Sequence, residues 1–449
     1  MSINLRQYCL WIHRYTGLFM AAFLIMAGLT GSLLAFHKEI DDAINHRLTS
    51  VRVEESTLLP IASLHDNVVQ NYPQYSFSSL PIAIEADKSV VFFVDRSRDK
   101  SQAKPLFQEV HVNPYSGEII GTRDKDAWQW QNVMWKVFWL HRELLLGDIG
   151  KLVLGIVVLV WTLNCFIGFY LTLPRPTKKS RNSAKKRASV LKRWLPAWRI
   201  RTKTNTFKLN YDLHQAFGLW LWLIFFVIAW SSVGFNLKQV YQPVMKATIG
   251  LEAKGKDKDK KADKAKNLAQ KQSEDEQALS KAMPNDAKNF AVTKANSIDY
   301  LSQQATIASK NYGAVFQKPL GIRWDSEEQV WQLRFKTDKD AGQKGGASSI
   351  SVDAKSGAVV RTHFGDESTA AQKTDQWLSA LHMGHIGDGV GHLLYQIFLA
   401  ITGVALAIAS VTGVYLWLKG RKSRKLAKKK APITPPYPQS PVALRAAKR

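Results

Sequence analysis

"IHRYTGLFMAAFL" at residues 12–24 and "LHQAFGLWLWLIF" at residues 213–225 share one pattern: an aliphatic residue, a histidine, three residues, a glycine and an apolar run. Gly17 follows His13 by four residues, and Gly218 follows His214 by four. At 100° per residue, Leu24, Gly28 and Gly31 share the helix face of His13, while Phe225, Ala229 and Ser232 share that of His214 at the same offsets. Small residues on such a face let helices approach closely in lipid. Two matched stretches this far apart predict a chain built from two related halves. The two histidines should then lie at equal depth on the packing faces of equivalent helices.

Four uncharged apolar stretches, 15–36, 152–173, 216–237 and 393–418, are each long enough to cross a hydrocarbon core of about 30 Å. The first is too long for the apolar core of a signal peptide and has no small-x-small cleavage motif before His37, so it reads as a retained span. The net charge of +26 matters through its placement. Residues 175–204 and the tail from Lys419 carry many Lys and Arg and no acid. The positive-inside rule therefore predicts that both termini and this loop are cytoplasmic, in contact with anionic lipid and not with nucleic acid. Two cysteines, Cys9 and Cys165, lie near or inside spans, so no disulfide framework, CxxC or CxxCH motif exists. The expected organisation is a first span within 1–37, an outer segment 38–149, a second span 150–173, a basic loop 174–211, a third span 212–237, an outer segment 238–391, a fourth span 392–418 and a basic tail 419–449.

The outer segments also match. Each has a polar helical stretch, short strand-like runs ("KSVVFFVD" at 88–95; "EQVWQLRFK" at 328–336), and a Ser-Gly pair (Ser116, Gly117; Ser356, Gly357) suited to a hairpin turn. Each reads as a small α+β module. Each ends in a Leu-His and a glycine-rich approach to a span, "LHRELLLGDIGK" at 140–151 and "LHMGHIGDGVGH" at 381–392, which makes His141 and His382 equivalent. The following spans close alike, on Gly168-Phe169-Tyr170-Leu171 and Gly413-Val414-Tyr415-Leu416. A charge-dense insert at 252–288 breaks the symmetry and is too polar to bury a core. "WQWQNVMWKVFWLH" at 128–141 is aromatic enough to lie in the headgroup layer before the second span.

These features together, over nearly the whole chain outside the insert and tail, resemble the PepSY-associated transmembrane proteins, often called iron-regulated membrane proteins. The resemblance implies an α-helical membrane protein with four transmembrane helices in two repeats and two α+β PepSY-like periplasmic domains, in a bacterial inner membrane. For the ferric-siderophore reductases of that group it also implies b-type haem held between the spans by histidine.

Haem iron accepts two axial imidazoles from facing helices, and each histidine can bind metal with one ring nitrogen while the other orients it. His13 and His214 meet this requirement on the cytoplasmic side. On the outer side, two of His141, His382 and His37 would serve a second haem. His385 could assist or contact an acidic substrate, and His392, matched to Lys151, reads as interfacial. His46, His65, His111 and His363 read as surface or turn residues. Zinc at His382, His385 and His392 is disfavoured by the intervening glycines. His13 and His37 are 24 residues apart, about 36 Å along one helix, which is long for direct transfer between two haems.

The expected function is an inner-membrane haem oxidoreductase with two b-type haems that delivers electrons to a periplasmic ferric siderophore. With no GxGxxG after a strand, electrons should come from quinol or a protein donor. The rivals are a non-enzymatic PepSY regulator of proteolysis, which leaves the His13 and His214 symmetry unexplained, and a siderophore or metal permease, disfavoured by spans without acids.

Overall fold

A computed structural model describes residues 5–95, 104–175, 189–249, 291–340, 342, 348–365 and 369–430, with side chains to 422. The charged insert and parts of the basic loop and tail lie outside the described residues. The protein is mostly helical, with two small antiparallel sheets.

Helix α1 (Leu5–Leu34) is followed by the short helices α2 (His37–Ile44) and α3 (His46–Thr49). Helix α4 (Ile61–Asn71) precedes strands β1 (Ser79–Leu80), β2 (Val90–Phe93), β3 (Glu109–Val112) and β4 (Ile119–Arg123). A 3₁₀ turn at Trp130–Asn132 leads into α5 (Val133–Glu143), and α6 (Gly147–Thr172) crosses the bundle. After α7 (Val190–Trp194) come α8 (Thr206–Trp220), α9 (Trp222–Asn236) and α10 (Lys238–Thr248). The second outer segment has α11 (Ser297–Tyr312), then β5 (Phe316–Asp325), β6 (Val330–Thr337), β7 (Ser349–Asp353) and β8 (Val359–His363). It ends in α12 (Ala370–Met383) and α13 (Val390–Lys430). Thr369 and Gln372 form a reciprocal capping box at the start of α12, and Gly384 closes that helix at φ 79°.

Three helices, α1, α6 and α13, are long and apolar enough to cross a membrane, and the bent pair α8–α9 makes a fourth candidate. The single straight helix expected over 212–237 is broken at Leu221, where the two parts meet at 69°. Leu221 leaves helical geometry at φ −105°, ψ 11°. Next to it, Trp222 is held by α6: its indole donates to the Cys165 carbonyl at 3.0 Å, and its ring packs on Phe166 and Phe169.

The bundle packs through small residues. A Cβ on Gly28 of α1 would stand 2.5 Å from the Gly403 carbonyl oxygen of α13, and Ser32 donates to the Ala400 carbonyl at 2.8 Å. Met20, Leu24, Val157, Trp161, Phe225, Ala229 and Leu406 fill the interior. Most of the segment at 128–141 is α5, packed against α1 and α6, while Trp128 and Trp130 stay exposed.

The two outer segments share one structure. Strand β1 leaves its own neighbours and pairs with β5, Ser79 opposite Arg323 and Leu80 opposite Ile322. This gives a five-stranded sheet β1-β5-β6-β7-β8 beside a three-stranded sheet β2-β3-β4. One core joins Leu64, Val68, Phe92 and Val110 to Leu301, Ile322, Leu333 and Ile350. Both Ser-Gly pairs sit in turns, with Gly117 at φ 76° and Gly357 at φ 68°, conformations that favour glycine. In each, an Asn113 or Asp353 side chain accepts from the turn amides.

Candidate functional site

His13 on α1 and His214 on α8 face one another, their ring centres 6.1 Å apart and their planes at 69°. A metal–imidazole bond is about 2 Å and the ring centre lies about 1 Å behind the nitrogen, so a metal clasped by two opposed imidazoles separates their centres by about 6 Å. Each ring rests on a glycine of a neighbouring helix. A Cβ at Gly168 of α6 would stand 3.1 Å from His13 Cε1, and one at Gly413 of α13 would stand 3.1 Å from His214 Cε1. These are the glycines that begin the matched Gly-x-Tyr-Leu runs.

His141 on α5 and His382 on α12 form a second group. His141 is tied to Thr30 of α1 at 2.9 Å, and His382 to Ser231 of α9 at 2.7 Å. His141 lies within electrostatic reach of His382, whose other face meets Phe235 at 5.3 Å between ring centres. Gly31 admits the His141 ring, since a Cβ there would stand 3.2 Å from Cε1. Thr30 is 17 residues beyond His13 on α1, about 25 Å along the axis. The two groups are therefore closer than the separation between His13 and His37.

The same nitrogen is engaged in all four rings. His13 Nδ1 is 2.9 Å from the Asn164 side-chain oxygen, and His214 Nδ1 is 2.8 Å from the Ala409 carbonyl oxygen. Both oxygens only accept, so Nδ1 donates. The Thr30 hydroxyl places its single proton on the Met26 carbonyl at 2.7 Å, and that of Ser231 on the Val227 carbonyl at 2.8 Å. Their oxygens therefore accept from Nδ1–H of His141 and His382. Carbonyls one turn earlier, those of Ala27 and Ile228, stand beside the same two rings. Each imidazole is thus held as the tautomer whose Nε2 carries a lone pair, the arrangement by which outer partners orient metal-binding histidines. The acceptors occur at matched positions: Thr30 and Ser231 each lie 17 residues after the first histidine of their half, and Asn164 and Ala409 each lie four before the glycine.

His37 stands edge-on to Trp135 at 5.3 Å between ring centres. His392 Nδ1 bonds the nearby Ile386 carbonyl at 3.3 Å. Among the described residues no group of three or more His, Cys, Asp or Glu is placed to hold a metal ion, as a zinc site of His382, His385 and His392 would need. Two histidines expected at the surface are buried. His65 is 7% exposed and bonds the Phe77 carbonyl, and His111 is 2% exposed and bonds Ser89. Both fill the interior between a helix or turn and the three-stranded sheet, and burial pushes His65 below the ordinary imidazole range.

Asn164, Thr30 and Ser231 were not singled out by sequence. Their signal is present nonetheless: a lone Asn in an apolar span, and hydroxyls beside the small residues Gly31 and Ser232 that mark the packing faces.

No curated protein matches the chain. A family described as PepSY-associated TM region matches residues 10–420. With its apolar helices bundled beneath two small antiparallel sheets, the chain is a membrane protein that belongs to the PepSY-associated TM region family.

Proposed function

We propose that the protein is a b-type haem oxidoreductase that passes electrons across the bacterial inner membrane to a ferric siderophore in the periplasm. The observation that carries this reading is the set of four histidines in two groups, each with Nδ1–H donated and Nε2 left to bind metal. Two imidazoles alone do not make a complete metal site, but they suit an iron that already has four macrocycle nitrogens. The residues present therefore fit haem. When bound, haem supplies reversible one-electron transfer.

His13 and His214 would hold the haem nearer the cytoplasm, and His141 and His382 the one nearer the periplasm. Asn164, Thr30, Ser231 and the Ala409 carbonyl fix the tautomer and plane of each ring. Met20, Leu24, Trp161, Phe225 and Leu406 exclude water between the two levels. Electrons enter from quinol or a protein donor on the side of the basic loop. Ferric iron prefers the oxygen donors of a siderophore more than ferrous iron does, so one electron loosens the chelate without cutting the ligand.

An absorption spectrum with haem quantification tests the reading. The purified protein should show a Soret band, reduced α and β bands, and two haems per chain. His214→Ala should remove about half of the haem and block electron entry, because axial ligation supplies much of the retention of a non-covalent haem. His382→Ala should leave the inner haem reducible by the donor but abolish transfer to a ferric chelate. A colourless protein, or two variants with full haem and unchanged low-spin spectra, would overturn the assignment.

A further inference from the structure

Trp11, Tyr15 and Phe19 follow one another at four-residue steps on α1, one stripe of a helix, and all three are exposed. With Ile12, Thr16 and Val160 of α6 they line a groove of about 330 Å³ on the side of the bundle. The Trp11 and Tyr15 rings meet at 5.1 Å between centres, so one wall of the groove is aromatic. Space of this size suits a small planar molecule.

The groove lies on the α1–α6 seam that the bond between His13 and Asn164 crosses. At 100° per residue, Thr16 is about 60° round α1 from His13, and Val160 is about 40° round α6 from Asn164, one turn away. These two residues form the edge nearest the inner histidine pair, while Trp11, Tyr15 and Phe19 form the edge toward the lipid. The Thr16 hydroxyl gives its proton to the Ile12 carbonyl at 2.8 Å. Its oxygen is left to accept from a hydroxyl of a ligand.

The other half closes the same place with its own chain. The stripe matched to Trp11, Tyr15 and Phe19 is Asp212, Ala216 and Trp220 on α8, and Val160 is matched to Ala405 on α13. Asp212, Ala216 and Ala405 are buried. The Arg201 guanidinium donates to Asp212 at 2.7 Å. The Trp220 indole donates at 3.2 Å to the carbonyl of Trp198, which ends a 3₁₀ turn (Leu195–Trp198) of the basic loop. One stripe is therefore covered by the loop, and its counterpart is open on the side of the span. An acyl chain has no use for the Thr16 acceptor or a wall of rings, whereas a flat hydroxylated ring uses both.

We propose that this groove binds the ring of a membrane quinol and is the point at which electrons enter toward His13 and His214. The assignment rests on the haem reading above and chooses between the two donors that reading allows. Oxidation of one quinol to quinone releases two electrons, which pass one at a time to the haem iron held by that pair. The two protons pass to water at the cytoplasmic end of the groove.

The test titrates the full-length protein in lipid nanodiscs with decylubiquinone and, separately, with a short-chain menaquinone, following the quenching of tryptophan emission. At least one quinone should bind saturably. Val160→Phe, which fills the groove, should raise the half-saturating concentration about tenfold. Thr16→Val, which removes only the acceptor, should raise it about fivefold. Reduction of the haem by the matching quinol should slow in both variants, while dithionite reduces it as in the wild type. Leu152→Phe, the same kind of enlargement at an exposed residue about 12 Å along α6, should change nothing. A wild type with a Soret band but no saturable quinone binding overturns the proposal and leaves the haem reading standing. So does unchanged binding in both variants, or displacement of the quinone by tetradecane, which has a chain but no ring and would mark the groove as a lipid contact. A colourless protein overturns the haem reading and the electron transfer with it, whatever the titration shows. If Val160→Phe does not fold, Thr16→Val decides.

Discussion

Thr30→Val removes one oxygen and keeps the shape of the side chain. In the structure that oxygen accepts from His141 Nδ1 while its own proton is held by the Met26 carbonyl. The valine variant leaves a buried Nδ1–H short of its acceptor, which costs about 1–3 kcal/mol. The Ala27 carbonyl beside the same ring remains, so the loss should fall near the lower end, about tenfold in haem affinity, within the range of about 10- to 100-fold for lost outer partners. If the protein holds two haems as proposed, the assay is the rate at which haem leaves it for excess apomyoglobin, followed in the Soret band. One of the two haem phases should accelerate about tenfold and the other should not change. Thr30→Ser should restore the slow phase, because it returns the hydroxyl. Asn164→Leu should accelerate the opposite phase, through His13. Wild-type loss rates in Thr30→Val would refute the argument that these bonds set the tautomer of the ligands.

Four further outcomes are expected. Alkaline phosphatase fused after residue 178 should be inactive and after residue 310 active, because the positive-inside rule assigns the unopposed Lys and Arg to the inner side; the reverse pattern would invert the topology. Deleting 252–288 should leave haem content and membrane insertion unchanged, and a haem-free product would show that this insert folds against the site. Arg123→Met should destabilise the outer region by about 3–5 kcal/mol, since the guanidinium is nearly fully buried and its loss strands Asp41, and thermal unfolding would measure it. Glu109 makes the same region acid-sensitive. Burial alone would raise its carboxyl, but the His111 imidazole 3.8 Å away, the ion pair with Lys125 and the charge of Arg123 outweigh burial and hold it below 4.5. Its contribution is therefore present above 4.5 and is lost as pH falls through the lowered value; Glu109→Gln should flatten that part of the stability profile.

The bundle was legible where its signal was periodic. His13, Gly28 and Gly31 share a face because helix geometry repeats at 100°, and Gly28 does meet another backbone, that of Gly403. His141 and His382 were visible as equivalents because each sits in a short, glycine-marked phrase. Local patterns do not carry the rest. The bend at Leu221 coincides with a contact of Trp222 on α6, between residues 57 apart in the chain. Burial of His65 and His111 depends on which face of a short strand or helix the sheet covers. The Nδ1 partners are single polar atoms in apolar stretches, and only the packing of α5 on α1 and of α12 on α9 reveals which rings they serve.

The pairing of β1 with β5 has a consequence during synthesis. Leu80 and its partner Ile322 are about 240 residues apart, so at about 5–20 residues per second the first outer segment waits on the order of ten to fifty seconds before its partner strand is made. During that interval α6 and the α8–α9 pair are made while one strand has no neighbour to bond, which leaves it open to pairing with another nascent chain. Its brevity, two residues, limits that hazard. The delay means that the first segment's strand finds its partner only after α1, α6 and the α8–α9 pair have been made, with α13 still to come.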